Sequence, residues 1–157
     1  MLKNKISILV VDDEIDICEM VAETLRDENY NALIATNYEM AVDKLTNENI
    51  TLLITDIWMN NDTNAGLKLL TFSKNNNPLI PVIMMSGHGN IETAVKAAKN
   101  GAYDFIEKPF KAERLILLVE KALQDRNLKL KVLDFELKES ERMALIGSST
   151  IFKNIKQ

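Results

Sequence analysis

Five short apolar runs alternate with stretches of helical periodicity through the first 110 residues. The runs are Ile6 to Val11, Asn31 to Ala35, Leu52 to Thr55, Pro81 to Met85 and Tyr103 to Ile106. Runs this short and rich in β-branched residues read as buried strands. Between them, Ile17, Met20, Val21 and Leu25 sit at helical spacing and predict a helix near 14–28. Tyr38 to Thr46 predicts a second helix. Leu67, Leu69, Leu70 and Phe72 mark a third, ended near Asn75-Asn76-Asn77-Pro78. Ile91, Ala94, Val95 and Ala98 form the stripe of a fourth, closed by Asn100-Gly101. Strands that alternate with helices in this way predict an α/β fold, a parallel sheet covered on both faces.

Ligands of such sheets bind at the carboxyl ends of the strands. Asp12 and Asp13 follow the first strand, Asp56 the third, Ser86 the fourth and Lys108 the fifth. The chain therefore predicts one pocket with three carboxylates, a hydroxyl and an ammonium. Clustered carboxylates repel, so the pocket holds a proton or a cation. Oxygen-only ligands suit Mg²⁺, and the backbone carbonyl of Trp58 is a candidate further ligand. The set suits phosphoryl transfer to a carboxylate. Asp56 is the candidate nucleophile, Asp12 and Asp13 the metal clamp, and Lys108 and Ser86 the phosphoryl contacts. Taken singly, each residue has a plainer reading: Asp-Asp as a helix cap, Lys-Pro as a turn, Ser86 as a loop residue. Their joint placement on four strands favours the pocket. His88, the only histidine, reads as a loop residue, and Cys18 as structural.

Net charge is −4, which argues against broad nucleic-acid binding. A single cysteine allows no internal disulfide and fits a reducing compartment. The start, Met1 to Lys5, lacks a signal-peptide apolar region, and no stretch has membrane-spanning length. The expected location is the cytoplasm, with no membrane partner.

From Lys111 to Met143 there is no glycine or proline, and nearly half the residues are charged, against about a fifth elsewhere. That predicts an extended C-terminal helix, largely solvated. Leu115, Leu118 and Ala122 are placed to pack on the sheet. A second seam runs Ile116, Val119, Leu123, Arg126, Leu130, Leu133, Leu137, Ser140, Ala144, apolar except at Arg126 and Ser140. Steps of three and four predict a coiled coil, most simply a homodimer. Ile146 to Thr150 reads as a turn or helix start, and the chain looks like a piece of a longer protein.

Several stretches carry a family resemblance. They are Ile8-Leu9-Val10-Val11-Asp12-Asp13-Glu14, Ile54-Thr55-Asp56, Met84-Met85-Ser86-Gly87-His88-Gly89 and Gly101 through Phe110. Together they resemble the receiver domain of bacterial two-component response regulators over residues 1 to about 125. The resemblance implies a flavodoxin-like (βα)₅ doubly wound five-stranded sheet. It implies Asp56 phosphorylated by a sensor histidine kinase, with Mg²⁺ held by Asp13, Asp56 and the Trp58 carbonyl, and by Asp12 through water. It implies Ser86 and Phe105 as switch residues, and a cis Lys108-Pro109 bond. Output would leave through the face of the fourth helix, fifth strand and fifth helix, the surface of a homodimer.

Ser86 through Val95, Asp56-Ile57-Trp58 and the long following loop are similar to NtrX-type regulators of the NtrC class. That implies an NtrY-like kinase and a sigma-54-dependent activator. Residues 1–125 would be the receiver and 126–144 a coiled-coil linker. Residues 145–157 would begin an AAA+ ATPase domain, since Leu145 to Ser149 is similar to its opening. DNA and RNA polymerase would be reached only through domains outside this chain. The sequence departs from the family at Met59-Asn60, where Met-Pro is usual, in a loop about two residues longer, and at Phe105, where tyrosine is commoner. The competing enzyme reading, a Mg²⁺-dependent aspartyl-phosphate phosphohydrolase, needs a second Asp where Trp58 stands. A flavin-binding flavodoxin fits poorly with Asp12-Asp13-Glu14 in the first loop.

Overall fold

The structure, a computed structural model, describes residues 6–62, 64–87 and 91–150, without the side chains of Ile91, Thr93 and residues 145–150. Strands β1 (Ser7–Val11), β2 (Asn31–Ala35), β3 (Leu52–Asp56), β4 (Val82–Ser86) and β5 (Asp104–Glu107) alternate with five helices. These are α1 (Ile15–Asp27), α2 (Tyr38–Asn47), α3 (Ala65–Asn76), α4 (Ile91–Lys99) and α5 (Ala112–Thr150). All strand pairs are parallel, in the order β2-β1-β3-β4-β5. The expected (βα)₅ sheet is thus present. β5 begins one residue later than its apolar run, although the Tyr103 N–H already donates to the Val82 carbonyl at 2.7 Å.

Alternate residues of each central strand enter two cores, as the period of two requires. Ile8, Val10, Leu52, Ile54, Ile83 and Met85 pack with α1 and the start of α5. Leu9, Val11, Leu53, Val82 and Met84 pack with α2, α3 and Ala97 of α4. Burial of each large side chain contributes about 1.5–3 kcal/mol.

Two glycines are dictated by geometry. Gly101 follows α4 at φ 102°, a left-handed position. Gly66 starts α3 against the strand-to-loop turn, where a Cβ would collide with the Asp56 carbonyl oxygen and the Ile57 Cα. No side chain larger than hydrogen fits there without displacing the backbone that carries Asp56.

The chain divides into residues 1–123 and 124–157. In the first unit, α5 buries Leu115, Leu118 and Ala122 as expected, but also Val119 and Leu123. The expected coiled-coil seam is corrected there. Residues 115, 118, 119 and 122 make one i, i+3, i+4, i+7 stripe that faces the core. The seam is available only from Arg126 onward. In the second unit the helix continues to Thr150, so the turn or helix start expected at 146–150 is replaced by unbroken helix backbone. Leu128, Val132, Leu133, Phe135, Leu137 and Met143 are exposed along it. Among the described residues, no helix is long and apolar enough to cross a membrane.

Candidate functional site

Register brings the acidic residues together. Val11 pairs with Thr55, so the residues that follow, Asp12 and Asp56, close adjacent strands. Ligand oxygens of Asp12, Asp13 and Asp56 lie within 4.8 Å of one another. Asp12 is fully buried, Asp56 nearly so, and Asp13 is exposed. The Asp12 carboxylate accepts the Glu14 N–H at 3.0 Å, and Asp56 Oδ1 accepts the Ile57 N–H at 3.0 Å. Asp13 Oδ2 accepts the Asn60 N–H at 2.9 Å.

Lys108 closes the far side. Its Nζ lies 2.8 Å from Asp12 Oδ2 and 3.4 Å from Asp56 Oδ1. The Lys108 N–H donates to the Ser86 carbonyl at 2.7 Å, so the β4–β5 ladder delivers both residues to one place. Ser86 is buried as the last residue of β4. The Lys108-Pro109 bond is cis.

Burial pushes the Asp56 carboxyl up to about 6, and the neighbouring Asp12 charge adds to this against the opposing pull of Lys108. Asp12 is also pushed up by burial, with Lys108 opposing. Burial alone would pull the Lys108 ammonium down, but its bonds to the two carboxylates win and hold it above its ordinary value. Burial and the Asp12 charge push the Cys18 thiol up to about 11, and its S–H donates to the Asp12 carbonyl at 3.2 Å. Cys18 is therefore a packed neighbour of the site, without thiolate character.

The donor set is oxygen only, with two carboxylates from the loop after β1 and one from the end of β3, and it fits a hard divalent cation such as Mg²⁺. Trp58 is half-buried at the edge of the second core. Phe105 is half-buried and lines a cavity of about 390 Å³ with Ala94, Val95 and Ala98 of α4. His88 lies outside the described residues. The contact that sequence reading missed is the Asn60 N–H on Asp13. A backbone donor has no side-chain signature, and its one trace is the lack of proline at position 60.

A doubly wound sheet with acids after β1 and β3, a hydroxyl closing β4 and a lysine after β5 is the arrangement of a receiver domain. The chain matches the response regulator receiver domain family over residues 8–120 and belongs to it. It is 43% identical over 150 residues to the nitrogen assimilation regulatory protein NtrX of Azorhizobium caulinodans, covering 95% of this chain and 33% of that protein. The crystal structure of the receiver domain of NtrX from Brucella abortus superposes with a TM-score of 0.71 at 50% identity, covering 74% of this chain and 98% of that one. The solution structure of the beryllofluoride-activated NtrC4 receiver domain dimer gives 0.71 at 38% identity, covering 76% and 98%. The chain spans about a third of the length of the curated relatives it matches.

Proposed function

We propose that this chain accepts a phosphoryl group on Asp56 from a histidine kinase and acts as a signalling switch. The observation that carries this reading is Lys108, whose ammonium bridges the carboxylates of Asp12 and Asp56 at the ends of adjacent strands. An Asp56 carboxylate oxygen attacks the donor phosphorus. The bond from phosphorus to the donor nitrogen breaks, and its electron pair leaves with the donor imidazole. Asp12, Asp13 and Asp56, with the Trp58 carbonyl, would hold Mg²⁺. Bound there, Mg²⁺ neutralises charge on the transferring oxygens. Lys108 stays near the acceptor throughout, and it offers the arriving phosphoryl oxygens a donor whose charge is secured by Asp12. The Ser86 hydroxyl supplies a second contact to the same oxygens.

The readout passes to Phe105 and the α4–β5–α5 face. The NtrC4 receiver, a dimer in its beryllofluoride-activated form, supports homodimerisation, and the α4–β5–α5 face is the surface proposed for it. Residues 126–144 as a linker, 145–157 as the start of a sigma-54-interacting ATPase domain and an NtrY-like kinase as donor belong to the same proposal; what agrees with further domains is that the match to NtrX covers 33% of that protein. A buried free thiol at Cys18 agrees with a cytoplasmic setting.

The test is labelling by acetyl phosphate, read as a mass increase of one phosphoryl group. The wild-type chain should label only with Mg²⁺ present, and Asp56→Asn should not label. Equal labelling of Asp56→Asn, or labelling that survives chelation, sinks the assignment.

A further inference from the structure

The segment after Asp56 is a small, tightly built hairpin. Met59 and Asp62 exchange backbone bonds, Met59 N–H to the Asp62 carbonyl at 3.2 Å and Asp62 N–H to the Met59 carbonyl at 2.8 Å. Asn60 and Asn61 between them have φ of 52° and 63°. Two successive left-handed residues make a turn of type I′, and asparagine tolerates that region better than other side chains. Both ends of the hairpin are pinned. The Met59 side chain is buried in the second core. Asp62 Oδ1 accepts the Asn64 N–H at 2.9 Å, and its Oδ2 pairs with Lys68 Nζ at 2.9 Å. A turn held at both ends fixes where the Asn60 N–H points, and it points at Asp13 Oδ2.

Asp13 needs such a partner more than its neighbours do. Asp12 and Asp56 are buried and held by Lys108, whereas Asp13 is exposed and would otherwise sample several rotamers. The Asn60 bond occupies one of roughly four lone-pair positions of the carboxylate and leaves the rest for a cation.

We propose that Asn60 is a positioning residue: its backbone N–H, aimed by the type I′ turn, fixes the Asp13 carboxylate and thereby raises the affinity of the site for a divalent cation. This rests on the reading of the three carboxylates as a cation site. A proline at 60, as in the Met-Pro pair usual in the family, has no N–H to give. The longer hairpin thus straps the loop after β3 to the loop after β1. Reciprocity requires the cation, in turn, to stabilise the strap.

The experiment titrates the full chain with Mg²⁺ and follows the fluorescence of Trp58, the single tryptophan. Asn60→Gly keeps the N–H and the left-handed backbone, and should bind within about twofold of wild type. Asn60→Pro removes the N–H and, with φ locked near about −65°, also the left-handed turn that aims it, and should weaken binding roughly tenfold. A second readout needs no metal. Hydrogen exchange of the Asn60 amide in metal-free protein should accelerate about tenfold when Asp13→Ala removes the acceptor, and Mg²⁺ should slow it in wild type. Equal Mg²⁺ affinity of the Gly and Pro variants overturns the strap alone. Absence of Mg²⁺ binding by wild type overturns the cation reading and the proposal together. If Asn60→Pro misfolds, the exchange measurement decides, and an Asn60 amide indifferent to Asp13→Ala overturns the proposal.

Discussion

In residues 1–123 a carboxylate, Asp12, is fully buried, while in the second unit Phe135 and Leu137 stand 63% and 64% exposed. Each is a side chain on the wrong side of the usual division between core and surface. The carboxylate is compensated within the unit. Lys108 lies 2.8 Å away, and the Glu14 N–H donates to it at 3.0 Å. The exposed apolar residues from Leu128 to Met143 lie on helix that packing within their own unit does not cover. A single helix draws most of its stability from packing of an apolar face, which is the ground for the proposal that this stretch pairs. The receiver body covers most of its own apolar residues, and the helix beyond Leu123 leaves most of its own exposed.

The largest effect that sharpens this contrast comes from Lys108→Met. Removing the ammonium leaves Asp12 and Asp56 facing each other unpaired, at a cost of about 3 kcal/mol in urea unfolding at pH 8. At pH 5 the cost should shrink, because Asp56 takes a proton instead. A pH-independent cost would show that the ion pair does not compensate the buried carboxylate. Ile54→Ala, at the centre of the sheet, should cost a similar 2–4 kcal/mol at every pH, since only packing is lost.

Wild-type pH dependence is next in size. The folded pKa of Asp56, about 6, lies above the ordinary carboxylate value of 3.8. Stability linked to that proton is fully present below the ordinary value and is lost as pH rises through about 6. The metal-free chain should therefore lose on the order of 2 kcal/mol between about pH 4 and pH 7, and Mg²⁺ should restore it at pH 7.5. A flat profile would mean that burial, with the Asp12 charge beside it, does not raise the Asp56 carboxyl in the folded chain.

The smallest effect on the body should come from the helix. Truncation after residue 125, or Leu137→Asp, should change unfolding of the receiver by less than about 0.5 kcal/mol. Mass by light scattering should fall towards monomer in both. Unchanged mass with a destabilised body would reverse the comparison, making the helix a support of the receiver and not a docking element.

Much of the body was legible because buried parallel strands leave short β-branched runs, and register then places Asp12 beside Asp56 without further information. The start of β5 was displaced by one residue because Tyr103 is apolar enough to extend the run. The first part of the seam was misassigned for a deeper reason. Positions 115, 118, 119 and 122 satisfy the helical period, while 116, 119 and 123 also satisfy a heptad. Only the sheet beneath decides that Val119 and Leu123 belong to the core. The Asn60 contact was invisible because it depends on two backbone angles at 60 and 61 that asparagine permits without announcing them.

The ladder between β4 and β5 has a positional consequence. Ser86 and Lys108 are joined by a backbone bond of 2.7 Å, and Phe105 lies three residues back from Lys108, within β5 and opposite Met84. At about 3.3 Å per residue, about 10 Å of extended backbone separates Phe105, which lines the α4 cavity, from Lys108 just beyond the strand. The ladder thus ties the backbone of Ser86 to that of Lys108 and sets Phe105, three residues back, beside the α4 cavity.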